Sequence, residues 1–142
     1  MEFNELMIGD YVRYIGTGYC DVKNGDIVKV YALQYPRYVG IGDNCMADDE
    51  LFEPIPLTAE ILEANGWIEW KANKMGVVIF TQHFEFSDNL LGIEDSIESR
   101  IDCDPYGDFH YMCNGKSLCY INSVHELQHA LRLCGIDKTI EL

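Results

Sequence analysis

The sequence predicts an α+β protein, built as an N-terminal SH3-like small β-barrel followed by a short helix and an antiparallel sheet covered by a C-terminal helix. Three observations carry that expectation. Five short alternating runs fall in the first 55 residues, a second series of alternating runs starts at Trp67, and only the stretches after Thr58 and Ser123 have helical spacing. Pro54 and Pro56 mark the boundary, because proline ends strand pairing and drives the preceding residue towards an extended conformation. Residues 1–57 and 58–142 therefore read as two domains or as two parts sharing one core.

In the first part the runs are Asp10 to Ile15, Tyr19 to Lys23, Asp26 to Leu33, Arg37 to Ile41 and Leu51 to Ile55. Asn24-Gly25 lies between two of them and is a strong hairpin signal, since a type I′ turn needs positive φ at both central residues. Charged residues at the strand ends read as ordinary solvent-facing positions. Thr58 is positioned to cap a helix running through Asn65, with Ile61 and Leu62 on its apolar side, Glu60 near the positive end of its dipole and Gly66 as its stop.

The second sheet reads as Trp67 to Lys71, Val77 to Phe86, Ser96 to Asp102, Phe109 to Cys113 and Lys116 to Ile121. Asn114-Gly115 joins the last two as a tight hairpin, and Asp104-Pro105-Tyr106-Gly107 reads as a type I turn with proline at its second position. The last helix spans Val124 to Cys134. Ser123 and Glu126 have capping-box spacing, and Gly135-Ile136 has the form of a C-terminal cap.

Composition narrows the function. The 142 residues are 48% hydrophobic, enough for a real core, which excludes disorder as the overall state. Twenty-four acidic against 10 basic residues give a net charge of -14, which repels phosphate polymers and excludes a non-specific nucleic-acid binder. The charge is spread, with -6 in residues 1–57 (four basic, ten acidic) and -8 in 58–142 (six basic, fourteen acidic). Such a surface suits a basic patch on a partner; without a dense stripe, phosphate mimicry is the lesser reading. No apolar run reaches 18 residues, and the first ten residues lack a signal-peptide pattern. The expectation is a cytoplasmic protein with no membrane partner, whose six cysteines are mostly buried free thiols.

The loudest chemical signal is His125-Glu126-Leu127-Gln128-His129, which matches H-E-x-x-H. On a helix, two histidines one turn apart bind zinc and the glutamate activates the metal-bound water. A zinc hydrolase with His125 and His129 as ligands and Glu126 as base is therefore an alternative reading. It lacks an obvious third ligand, and helical geometry gathers Val124, Leu127, Ala130, Leu131 and Cys134 on one side, leaving the imidazoles towards solvent. Cys103, His110, Cys113 and Cys119 lack the paired C-x-x-C spacing of a structural zinc site and read as thiols in strands. Asp102 to Asp108 imitates the start of a calcium loop, but Cys113 stands where the closing glutamate belongs. No cofactor or metal is expected, and no catalytic residue is assigned.

The preferred ligand site is the tyrosine-bearing surface of the barrel. Six tyrosines fall within the first 38 residues (Tyr11, Tyr14, Tyr19, Tyr31, Tyr35 and Tyr38), beside the scarce cations Arg13, Lys29 and Arg37. Aromatic rings stack on bases or proline-rich peptides, and an adjacent arginine holds a phosphate or carboxylate. The candidate ligand-binding residues are thus Tyr11, Arg13, Tyr14, Tyr31, Tyr35, Arg37 and Tyr38. Tyrosine also simply suits half-buried strands.

Three stretches, MEFNELMIGDYV, EPIPLTAEILEANGW and VHELQHALRLCGI, resemble a group of small uncharacterised proteins of Bacteroides-type bacteria and of their phages and mobile elements. The resemblance implies a genetic context and makes His129 incidental; it brings no activity, cofactor or catalytic residue. The expectation is a non-enzymatic binding protein, an accessory or counter-defence factor that binds a host protein or sequesters a small anionic ligand such as a signalling nucleotide. A structural subunit of a larger assembly is the remaining alternative, and a homo-oligomer fits either.

Overall fold

The computed structural model describes residues 1–18, 20–42, 45–70, 75–88 and 93–142, without the side chains of 86–88 and 93–95. Tyr19, from the expected ligand site, and Lys71, the expected end of a strand, lie outside the described residues. The chain is α+β. After a 3₁₀ turn at Phe3–Glu5 come β1 (Tyr11–Tyr14), β2 (Ile27–Lys29), β3 (Ala32–Gln34), β4 (Tyr38–Gly42), β5 (Cys45–Asp48) and β6 (Phe52–Glu53). There follow α1 (Ala59–Ala64), β7 (Ile68–Trp70), β8 (Val78–Asp88), β9 (Ile93–Cys103), β10 (Phe109–Cys113), β11 (Lys116–Tyr120) and α2 (Val124–Leu133). One compact unit holds Met1–Pro56 with Ser123–His125; the other holds Leu57–Asn122 with Glu126–Leu142.

The first unit contains two three-stranded antiparallel sheets, ordered β2-β1-β6 and β3-β4-β5. They do not close into the barrel expected from the sequence. The run from Asp26 to Leu33 splits at Val30 and Tyr31, giving β2 to one sheet and β3 to the other. The run from Tyr19 to Lys23 forms no strand in its described residues, because Cys20 and Asp21 turn through the left-handed region (φ 53° and 65°). At Asn24-Gly25 only the glycine has positive φ, 94°, and the Asp26 N–H donates to the Lys23 carbonyl at 3.0 Å. That is the pattern of a type II turn rather than type I′.

Cys20 is bonded to Cys45, with Cα atoms 6.1 Å apart, an ordinary span for a disulfide. This corrects the reading of six free thiols. The left-handed turn at Cys20 and Asp21 carries the first sulfur to the start of β5. The other four cysteines are free, but Cys103, Cys113 and Cys134 are half-buried and Cys119 is exposed, so none is a fully buried thiol.

Alternation along β1 builds the core of this unit. Val12 and Tyr14 point inward and join Val30, Val39, Ala47 and Phe52, while Tyr11 and Arg13 point outward. The Tyr14 and Phe52 rings meet edge to face at 5.8 Å. Asp10, expected at the surface as a strand-end charge, is fully buried, and its carboxylate accepts the Met7 N–H at 2.7 Å.

The second unit is one five-stranded antiparallel sheet, ordered β11-β10-β9-β8-β7, with α1 and most of α2. Thr58 Oγ1 accepts the Ile61 N–H at 3.3 Å and caps α1. Gly66 closes it at φ 91°, with the Trp67 N–H returning to the Leu62 carbonyl at 3.0 Å. Asn114 and Gly115 both have positive φ (49° and 76°), the type I′ hairpin the dipeptide predicts. Asp104 builds its turn through its carboxylate, which accepts the N–H groups of Tyr106 and Asp108 at 2.9 and 3.0 Å. Phe80, Ile101 and Tyr111 line one face of the sheet and are buried, as are Leu127, Ala130 and Leu131 on the apolar side of α2.

Candidate functional site

The turn between β3 and β4 projects Tyr35, cis-Pro36 and Arg37 beside the N-terminal segment. Together they line a shallow, open groove of about 550 Å³. Met1, Phe3, Tyr35 and Pro36 give it apolar surface, and Glu2, Asp49 and Glu50 give it carboxylates. Two hydrogen bonds hold the walls. The Phe3 N–H donates to Asp49 Oδ2 at 3.0 Å, and the Asp49 N–H donates to the Arg37 carbonyl at 2.9 Å. Tyr35 is 85% exposed, so its ring is available to a ligand.

The seven candidate residues do not form one surface. Tyr35 and Arg37 line the groove. Tyr31 and Tyr38 are exposed but are not among its lining residues. Tyr11 is half-buried, with the Lys29 ammonium 5.8 Å from its ring centre across the β1–β2 ladder. Tyr14 lies in the core at 1% exposure, which removes it from any ligand surface; alternation along β1 sends it to the face opposite Tyr11 and Arg13.

Neither arginine is a free cation. Arg13 donates to Glu53 Oε1 at 3.1 Å, across the β1–β6 ladder. Arg37 stands between Asp48 at 3.1 Å and Glu50 at 3.6 Å. With Asp48, Asp49 and Glu50 consecutive in the chain, the field around the groove is negative. The signal for this in the sequence is that acidic triplet, but nothing local shows that it lies beside Tyr35 and Phe3.

The H-E-x-x-H residues take structural positions. The His125 imidazole is buried, not turned to solvent as the helical spacing suggested, and its Nδ1 lies 2.8 Å from the Ser123 hydroxyl. His129 is half-buried. The buried arc of α2 is wider than its apolar stripe, because Gln128 turns its carboxamide onto the backbone of Lys138 and Ile140. The Glu126 carboxylate accepts the Asn122 N–H at 2.6 Å, tying it to the start of the helix. Among the described residues no group of three His, Cys, Asp or Glu side chains is arranged to hold a metal.

Two further clusters lie in the second unit. Lys138 donates to the Asn65 carbonyl and sits 5.3 Å from the Trp67 ring and 5.7 Å from Phe84, while partial desolvation lowers its pKa. Its ammonium is thus already engaged. Under α2, the Ser99 hydroxyl donates to the Tyr111 hydroxyl at 3.1 Å, and the Cys134 thiol interacts with both Tyr111 and Cys113. Burial raises the Tyr111 pKa and pushes the Cys113 thiol up to about 11, so neither is primed as a nucleophile at neutral pH.

No protein-family model matches the chain, and neither a curated protein nor a solved structure matches it. Among the described residues, no helix is long and apolar enough to cross a membrane.

Proposed function

We propose that the chain is a non-enzymatic binding protein, an accessory or counter-defence factor of a phage or mobile element, that docks a basic segment of a host protein in the groove of its first unit. On this reading the first unit works as an SH3-like docking module opened into two sheets. One observation carries it: both arginines available to hold an anion are paired with carboxylates, while the groove beside Arg37 offers an exposed tyrosine ring among Glu2, Asp49 and Glu50. That arrangement favours a cationic or proline-flanked peptide over the small anionic ligand, since an approaching anion would have to displace a carboxylate from each arginine. The genetic context remains the one implied by the three resembling stretches.

The test is fluorescence anisotropy with a labelled decapeptide containing arginine and proline, and with a labelled cyclic dinucleotide as the anionic probe. The expected result is peptide binding that weakens at least tenfold in Tyr35→Ala and in Glu50→Lys, is screened by salt, and has no counterpart with the nucleotide. Nucleotide binding that is lost in Arg13→Ala and Arg37→Ala would overturn the reading in favour of sequestration. Peptide binding indifferent to both groove variants would remove the groove.

A further inference from the structure

Among the described residues, β5 lies at the edge of its sheet, with β4 as its one neighbour in the order β3-β4-β5. The ladder is weakest where β5 begins. Met46 faces Gly40, Cys45 faces Gly42, and the register shifts between the two glycines. A glycine offers no side chain for a cross-strand pair, so pairing secures this end of the strand poorly. A covalent tie secures it instead: Cys45, which is buried, is bonded to Cys20, which is exposed. The turn at the other end of that bond is held in an unfavourable shape. Cys20 and Asp21 are consecutive non-glycine residues with φ of 53° and 65°, a conformation that unconstrained L-residues seldom adopt twice in succession.

β5 runs directly into one wall of the groove. Asp48 meets Arg37 at 3.1 Å, the Asp49 carboxylate accepts the Phe3 N–H at 3.0 Å, and Glu50 lines the groove beside them. The far end of this wall is tied separately, by the Ile15 N–H on the Leu51 carbonyl at 2.9 Å and by the pairing of β6 with β1. The wall is thus strung between two anchors, and one of them is a bond that reduction breaks.

We infer that the Cys20–Cys45 bond is a redox switch of the groove, in which the oxidised chain docks its peptide and the reduced chain releases it. The inference rests on the docking reading above and adds its regulation. The reductant is a dithiol. One of its thiolates attacks the Cys20 sulfur, on the exposed side of the bond, forming a mixed disulfide and expelling Cys45 as a thiolate that takes up a proton. The second thiol of the reductant then displaces Cys20 as a thiol. The dithiol leaves as a cyclic disulfide, and the chain has gained two electrons and two protons. Once freed, Cys20 and Asp21 leave the left-handed region and the start of β5 keeps only its glycine-faced pairing. Asp49 and Glu50 then lose their fixed place beside Phe3 and Tyr35, and a peptide must order the wall before it can bind.

Hydrogen exchange and peptide anisotropy on the full chain, before and after treatment with dithiothreitol, test this. Thiol labelling should count two more thiols after reduction than the four free cysteines before it. Amides of residues 46–50 and 20–26 should exchange at least about tenfold faster in the reduced chain, while those of β1 are unchanged. Affinity for the decapeptide containing arginine and proline should fall at least about tenfold, and oxidised glutathione should restore it. Cys20→Ser should match the reduced chain and ignore the reductant; if that variant does not fold, the reduced chain, which carries no substitution, decides alone. An oxidised chain that leaves the peptide unbound removes the docking reading and the switch with it. A peptide bound by both forms within about twofold overturns the switch alone. So does exchange at residues 46–50 that is indifferent to reduction, or a bond that dithiothreitol leaves intact. Protection lost across β1 as well in the reduced chain overturns it too, since that marks unfolding of the unit rather than release of its wall.

Discussion

Asn65 holds the backbone of Glu141 as a neighbouring strand would: its Oδ1 accepts the Glu141 N–H at 2.7 Å and its Nδ2 donates to the Glu141 carbonyl at 2.9 Å. The same Nδ2 donates to the Ile61 carbonyl at 2.8 Å, so the residue that ends α1 also fixes the C-terminal segment. Gln128 repeats the device on Lys138 and Ile140 from α2. Two carboxamides thus do the work of a strand ladder, and the segment buries Ile136 and Ile140.

Asn65→Ala should therefore cost about 2–4 kcal/mol in urea unfolding, from two or three lost bonds at about 1 kcal/mol each plus the desolvation of groups left unpaired. Asn65→Asp keeps the acceptor for the Glu141 N–H but sets a carboxylate against the Ile61 and Glu141 carbonyls, and should be no better. An Asn65→Ala midpoint equal to wild type would show that the segment is held by Ile136 and Ile140 alone.

Gly16 is required by Tyr14. A Cβ added at Gly16 would stand 2.2 Å from the Tyr14 hydroxyl oxygen and 2.4 Å from Cζ, and that ring is locked in the core against Phe52. Gly16→Ala should destabilise the first unit by about 2–4 kcal/mol through forced displacement of a packed ring. At Gly42 a Cβ meets nothing within 4 Å among the described residues, so Gly42→Ala is the control, expected within about 0.5 kcal/mol of wild type. Equal thermal midpoints for the two variants would show that the phenol moves aside freely.

The same dipeptide shows where sequence reasoning holds and where it stops. Asn114-Gly115 makes the expected type I′ hairpin because its flanking runs pair directly, Cys113 with Lys116. Asn24-Gly25 does not, because the run before it is not a strand: Val22 packs into the core and Cys20 is drawn to Cys45. Caps and turns at Thr58, Gly66 and Asp104 were legible for the same reason as Asn114-Gly115, being settled by neighbours in the chain. Barrel closure was not, since it depends on which sheet receives β2 and which β3. The groove was least legible. Alternation along β1 separates Tyr14 from Tyr11 and Arg13, which the expected ligand site grouped together, and it does not tell which side faces in. Nor does any local pattern bring Phe3, Tyr35 and Asp49 together.

The Cys20–Cys45 bond closes a loop with a sequence separation of 25, and Cys45 lies in the core at 5% exposure. Restricting the unfolded chain over a loop of that length contributes about 3.5 kcal/mol in the chain-entropy account. Cys20→Ser, or a reductant, should lower the urea midpoint accordingly, and thiol titration of the oxidised chain unfolded without reductant should find the four free cysteines only. Six titrating thiols would show that the bond is not formed in solution.

Proton affinity beneath α2 gives a pH signature. Burial, then the Cys134 thiol, push the Cys113 pKa up to about 11, and burial raises Tyr111 as well. Both groups are neutral when folded. A raised acid of this kind contributes stability that is fully present below its unfolded pKa and is lost as pH rises through the folded one, since the unfolded chain ionises first. Stability should accordingly fall between about pH 9 and 11, and Cys113→Ser should flatten part of that decline. At pH 8 the two-unit rise leaves Cys113 with roughly a hundredth of the thiolate of an ordinary cysteine, so iodoacetamide should alkylate it about 100-fold more slowly than a model thiol. Mass-spectrometric mapping of the alkylated chain reads this directly. Cys113 labelling at the rate of the model thiol would mean that its side chain reaches water and that the contact with Cys134 is not maintained.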